Sequence, residues 1–116
     1  MQPPVRQGEV WYINFSPAEG HEQQGQRPAL IVSRNALNRT GMCMVVPGTT
    51  TFKKRPGRVA LPAGEGGVTE TTYLLCDQLR TVDATRLIRR CGAADRRYVE
   101  QVLTQVHYFL TPEPAD

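Results

Sequence analysis

Pro28–Ser33 (PALIVS) is an unbroken apolar run of strand length, preceded by a polar, glycine-containing stretch and followed by Arg34-Asn35. Consecutive apolar positions in so short a run read as a strand buried on both faces. Upstream, Glu9–Phe15 (EVWYINF) is rich in β-branched and aromatic residues and ends at the turn signal Ser16-Pro17. Alternation puts Val10, Tyr12 and Asn14 on one of its faces and Trp11, Ile13 and Phe15 on the other. Downstream, Arg34–Asn38 predicts a short helical turn. Met42–Val46 (MCMVV) is then a second continuous apolar strand, which Pro47-Gly48 is expected to stop. Arg58–Leu61 lies between turn signals, Thr71–Val82 reads as one longer strand, and Leu87–Arg90 reads as a short one. The period then changes. Val99, Val102, Leu103, Val106, Phe109 and Leu110 follow helical spacing, with Asp95 suited to cap the start and Pro112 barring continuation. Five or six short strands and one terminal amphipathic helix predict a mainly β fold with α, a small, strongly curved sheet or partial barrel. Tyr98 and Tyr108 flank the helical stripe as packing residues.

A chain of 116 residues fits one domain, 1–116, and a domain this small often gains from association. The net charge is +3, and twelve of the fourteen basic residues are arginine. Guanidinium matches phosphate oxygens bidentately and stacks on bases, which favours an anionic, base-bearing partner. No apolar run reaches the ~18 residues of a membrane helix, and Met1–Glu9 lacks the apolar region of a secretory signal, so a cytoplasmic location and no membrane partner are expected. The ends, Met1–Gln7 and Thr111–Asp116, are proline-containing and expected to be loose. Cys43, Cys76 and Cys91 are odd in number and form no CxxC pair. That pattern excludes the usual zinc and redox motifs, and Cys43 and Cys76, inside apolar runs, read as buried thiols. No metal or other cofactor is expected.

Four segments carry chemistry. Gly20–Pro28 (GHEQQGQRP) joins two predicted strands and crowds acid, amide and guanidinium groups into a few positions. Pro47–Thr51 (PGTTT) sets hydroxyls at the exit of a buried strand, where side chains and backbone N–H groups can cradle a phosphate. Phe52–Arg58 (FKKRPGR) interleaves four cations with a ring, the composition that tracks a nucleic-acid backbone and stacks bases. In Cys76–Arg80 (CDQLR), strand alternation would put Asp77 and Leu79 opposite Gln78 and Arg80. A part-buried Asp77 would need a partner, and structural and catalytic uses of it are equally open.

Taken in order, these stretches resemble the MazF/PemK family of toxin–antitoxin ribonucleases. The resemblance rests on Gly8-Glu9-Val10-Trp11, on Gly20-x-Glu22-Gln23-x-Gly25-x-Arg27-Pro28-Ala29, on Thr40-Gly41-Met42-Cys43 with Pro47-x-Thr49-Thr50, and on Asp77-Gln78 before Val82-Asp83. It covers nearly the whole chain, with a core at about 7–111. It implies an SH3-like barrel, a homodimer, cleavage of single-stranded RNA, and silencing by a cognate MazE-like antitoxin with an acidic C-terminal tail. It maps the family's essential arginine to Arg27, its essential threonine to Thr49 and its loop glutamate to Glu22. Two departures stand out. Gln26 occupies a position where many members have histidine, which removes any histidine role there. Leu75 stands where the PemK/Kid branch carries an arginine used in proton transfer, which aligns the chain with the MazF branch and weakens Asp77 as a general base.

RNA brings its own nucleophile, the 2′-OH. A metal-free ribonuclease therefore has to deprotonate it, stabilise the crowded phosphorane and protonate the leaving oxygen, giving a 2′,3′-cyclic phosphate and a 5′-OH. Arg27 suits the non-bridging oxygens, and Thr49 suits orientation of the phosphate. Glu22 is the base by type, although a glutamate in water titrates near about 4.3. Gln23, Gln24, Gln26 and Gln78 suit the reading of splayed bases, and Thr50, Lys53, Lys54, Arg55 and Arg80 suit the backbone. His21 stays open as an RNA contact, and His107 reads as a helix-surface residue. Two rivals remain on sequence alone. One is a gyrase-poisoning toxin of the same fold, like CcdB, for which a tryptophan near the C-terminus would speak; the one tryptophan here is Trp11. The other is a non-catalytic RNA-binding barrel.

Overall fold

The computed structural model describes residues 4–115 except Ala18 and Gln24. Among them the chain forms seven strands and two helices. In order these are β1 (Glu9–Asn14), β2 (Gln26–Ile31), α1 (Asn35–Asn38), β3 (Met42–Thr49), β4 (Arg58–Leu61), β5 (Thr72–Leu75), β6 (Arg80–Asp83), β7 (Leu87–Ala93) and α2 (Arg96–Leu110). All strand pairs are antiparallel. The sheet runs β4-β5-β3-β2-β1-β7, with β6 also paired to β3.

Strands β1 to β3 are buried on both faces, which is why two of them read as continuous apolar runs. On one side Val10, Leu30, Val32 and Val46 join Leu61, Leu74 and the α2 residues Val99, Val102 and Val106. On the other, Trp11, Ile13 and Phe15 pack with Ala29, Ile31, Cys43, Val45 and Val82. Each fully buried Leu, Ile or Phe among these contributes roughly 1.5–3 kcal/mol. The predicted alternation in β1 is the one that divides these two clusters. Asp95 caps α2 as expected, its carboxylate accepting from the Arg97 N–H at 3.0 Å. Phe109 and Leu110, part of the apolar stripe by spacing, stay 39% and 69% exposed at the helix end.

Strand β3 departs from its expected form. It runs through Pro47-Gly48 to Thr49 instead of stopping at Val46. Its first half, Met42–Val45, pairs with β6, and its last two residues, Gly48 and Thr49, pair with β5. The Pro-Gly dipeptide is the corner at which β3 changes partner. Pro47 sits opposite Ala29 on β2. A Cβ at Gly48 would lie 2.4 Å from Thr72 Cγ2 and 3.3 Å from the Pro28 carbonyl oxygen. Only glycine lets three strands converge so closely, a common use of glycine at barrel corners.

The expected single strand Thr71–Val82 is two strands separated by a 3-10 turn, Cys76–Gln78. The reason is topological. The segment must pair with both ends of β3 around its corner, and a straight strand cannot. This raises the strand count to seven. β7 also extends to Ala93, past the expected Arg90. The N-terminal segment is held from Val5, which packs on the second cluster; the Arg6 N–H donates to Glu9 Oε1, the Gln7 N–H to Asn35 Oδ1 and Gln7 Nε2 to the Val32 carbonyl, all at 2.8 Å. The outermost parts of the two expected loose tails, residues 1–3 and 116, lie outside the described residues. Among the described residues no helix is long and apolar enough to cross a membrane.

Candidate active site

The corner of β3 opens onto a groove of about 750 Å³. Ala29 on β2 pairs with Pro47 on β3. Two residues before Ala29 comes Arg27 and two residues after Pro47 comes Thr49, and both side chains line the groove. Their backbone belongs to the strands buried on both faces, so neither relies on a loop for its position. Thr49 Oγ1 accepts from the Thr51 N–H at 3.2 Å, which folds the strand exit back over the hydroxyl.

The opposite wall is made of loops. His21, Glu22 and Gln23 line it from the β1–β2 connection, and Thr51, Lys53 and Arg55 from the β3–β4 connection. Glu22 Oε1 accepts from the Glu19 N–H at 2.7 Å, so the carboxylate braces its own loop. Gln78 spans to that loop from the 3-10 turn. Its Oε1 accepts from the Gln23 N–H at 3.0 Å, and its Nε2 donates to the His21 carbonyl at 3.3 Å. Arg80 lies over the Phe15 ring, 5.4 Å from its centroid, at the groove's edge.

Most of the residues singled out in the sequence meet here: Arg27, Thr49, Glu22, His21, Gln23, Lys53, Arg55, Asp77, Gln78 and Arg80. Gln26, Thr50 and Lys54 are exposed and do not line the groove. Gln24 lies outside the described residues. The expected alternation of Asp77 and Leu79 against Gln78 and Arg80 does not hold, because the 3-10 turn brings all four to the same groove. His107 sits elsewhere, exposed on α2 beside Glu100, Leu103 and Thr104.

Sequence reasoning misses Arg58. It reads as the first residue of a short strand and the last of four cations, with no partner assigned; it does open β4, and its side chain, only 11% exposed, lines the groove. It donates from Nη1 to Asp77 Oδ1 at 2.5 Å. Its local sequence carries no signal for this, since the position depends on β4 pairing with β5.

The groove's lining holds five cations, Arg27, Lys53, Arg55, Arg58 and Arg80, against two carboxylates, Glu22 and Asp77. Such a concave cationic surface concentrates polyanions. The buried thiols of Cys43 and Cys76 contribute no nucleophile. Burial, then the negative charge of Asp77, push the Cys76 thiol up to about 12 despite nearby Arg58. Burial, then Asp83, push Cys43 to about 11. Both are neutral and inert at physiological pH. Among the described residues no three His, Cys, Asp or Glu side chains cluster as metal ligands would.

The profile of PemK-like, MazF-like toxins of type II toxin–antitoxin systems matches residues 6–110. Endoribonuclease PemK of Escherichia coli is 37% identical over 105 residues, which span 88% of this chain and 76% of that protein. Endoribonuclease toxin ChpB of Escherichia coli K12 is 39% identical over 104 residues, 85% of this chain and 88% of that one. The crystal structure of MazF from Deinococcus radiodurans superposes with a TM-score of 0.85 at 31% identity, covering 96% of this chain and 100% of that one. A MazE–MazF crystal structure from the same organism gives 0.79 at 31% identity, covering 97% and 100%. With its fold and nearly its whole length so matched, the chain belongs to the PemK-like, MazF-like family of toxins of type II toxin–antitoxin systems.

Proposed function

We propose that this toxin is a sequence-selective endoribonuclease that cuts single-stranded RNA without a metal ion. The observation that carries the reading is the meeting of Arg27 and Thr49, from two separate strands, in one cationic groove. Relatives named as endoribonucleases support it.

In this reading the RNA supplies the attacking 2′-OH. Arg27 binds the non-bridging oxygens, where negative charge grows in the transition state, and a donor fixed on a buried strand stabilises that charge without reorganising. Thr49 Oγ holds the phosphate in line. Glu22 lines the same groove and is the general base by type, once RNA displaces the loop contact it makes at rest. Lys53, Arg55 and Arg80 guide the backbone. Gln23 faces the splayed bases, while Gln78 holds the loop that presents it. Each phosphate neutralised releases counterions, so cutting falls steeply as salt rises.

The chain acts in the cytoplasm as a homodimer, silenced by a cognate antitoxin whose acidic tail is complementary to the basic groove. A solved MazE–MazF complex among the structural relatives supports such a partner. The gyrase-poison reading gains nothing from Trp11, which is buried in the core.

The test is incubation of the purified protein with a long RNA in EDTA, followed by analysis of the new ends. Discrete cuts with 5′-OH and 2′,3′-cyclic phosphate ends are expected. Ends carrying 5′-phosphate and 3′-OH would reject the chemistry. Binding without cuts would favour the non-catalytic barrel.

A further inference from the structure

Asp77 is one of two carboxylates in a mainly cationic groove, and its setting is built. Arg58 and Leu75 are partners in the β4–β5 register. From there the Arg58 guanidinium reaches past Leu75 to Asp77 Oδ1. The 3-10 turn that carries Asp77 is also fastened to the start of β4 by the Cys76 N–H, which donates to the Gly57 carbonyl at 3.0 Å. Arg58 is nearly buried, and a buried cation needs a partner, so the pair holds Asp77 in one place before any ligand arrives. The Asp77 side chain is nevertheless 40% exposed. Among the described residues Arg58 is its one bonded partner. An ionised carboxylate has about four acceptor positions and no donor, so most of its capacity still faces the groove.

An acceptor-only group repels phosphates and attracts N–H. On single-stranded RNA the N–H groups lie on the exposed Watson–Crick edges. Guanine offers two in parallel, at N1 and N2, while adenine and cytosine each offer an amino group. Uracil offers one N–H between two carbonyls, which a carboxylate repels. We infer that Asp77, held by Arg58, reads the amino-bearing edge of a base beside the cut and excludes uracil at that position. Arg58 is a positioning residue in this scheme. The inference rests on the ribonuclease reading and deepens it by naming the class of base and the residue that selects it.

The experiment maps the 5′ ends of cuts across a long RNA of mixed sequence, for the wild type and for Asp77→Asn and Arg58→Gln. Thermal melting checks that each variant is folded. For the wild type, one position near the cut lacks uracil. An asparagine amide both donates and accepts, so it can bond the carbonyls of uracil that a carboxylate repels. Asp77→Asn therefore admits uracil there, and discrimination at that one position falls by roughly tenfold or more, the usual scale of a good base contact. Arg58→Gln relaxes the same position, with KM rising more than kcat falls; if it fails to fold, Asp77→Asn alone decides. Two results overturn the inference. One is Asp77→Asn cutting with an unchanged sequence pattern, and the other is its losing cleavage at every sequence, which would make Asp77 part of the chemistry. A wild type that cuts no RNA at all would overturn the ribonuclease reading itself, and this inference with it.

Discussion

The two walls of the groove are built in different ways. Arg27 and Thr49 stand at the ends of β2 and β3, strands buried on both faces, and inherit the rigidity of two hydrophobic clusters. The facing wall is loop, held by single hydrogen bonds such as that from the Gln23 N–H to Gln78 Oε1 and that from Gln78 Nε2 to the His21 carbonyl. A strand end fixes an atom to within the tolerance that phosphoryl chemistry demands. A loop tied by a few bonds can yield to different bases. In the proposed mechanism the strand wall stabilises the transition state and the loop wall fits the substrate.

The comparison can be broken most forcefully at the strands. Leu30 is fully buried in β2 and belongs to the first cluster, while its neighbours Ala29 and Ile31 belong to the second. Leu30→Ala is expected to cost about 2–5 kcal/mol. Denaturant unfolding would show it, with activity lost in step with the folded fraction. Gly48→Ala strikes the corner itself. The added methyl meets the buried Thr72 side chain, which has little room to move, so a loss of about 1–3 kcal/mol is expected. Cleavage by the remaining folded protein should also fall, because Thr49 is the next residue. Normal single-turnover rates in folded Gly48→Ala would show that the corner does not set the site.

The loop wall should respond differently. Gln78→Ala removes two bonds, one exposed and one part-buried, that together contribute about 1 kcal/mol. The melting temperature should fall by only a few degrees, while KM rises several-fold. A large stability loss with KM unchanged would erase the distinction between the walls.

The smallest effect concerns pH and lies away from the groove. Burial alone would raise the pKa of Glu9, but bonds from Arg90, the Arg6 N–H and Trp11 Nε1, with the Arg90 charge, outweigh it and hold the carboxyl below its ordinary 4.5. The folded state therefore binds fewer protons than the unfolded chain between the two values. The stabilisation from Glu9 is complete above the ordinary value and is lost as pH falls through the lower, folded one. Acid titration of stability should show this for the wild type and less of it for Glu9→Gln. At neutral pH that variant should lose about 1 kcal/mol.

What could be read from the sequence follows from how local each signal is. The alternation in β1, the apolar runs of β2 and β3 and the helical period of α2 are set by residues near one another in the chain. So is the gathering of Arg27, Glu22 and Thr49 into recognisable motifs. Three features were not legible, because each depends on a distant partner. Pro47-Gly48 looks like a stop and is a corner only because β5 and β6 both need β3. Cys76–Gln78 looks like mid-strand and bends for the same reason. Arg58 looks like one more cation at the start of a strand until β4 lies beside β5 and brings it to Asp77.

The central claim is that Arg27 and Thr49 act on one phosphorus. A double-mutant cycle of single-turnover cleavage rates, using Arg27→Ala, Thr49→Ala and the double variant, tests it most directly. Arg27→Ala alone should slow cutting by roughly 10²–10³-fold. The account predicts strong non-additivity, with the double variant scarcely slower than Arg27→Ala, as found for groups that work as a unit. Penalties that simply multiply, or an Arg27→Ala variant that cuts like the wild type, would contradict it.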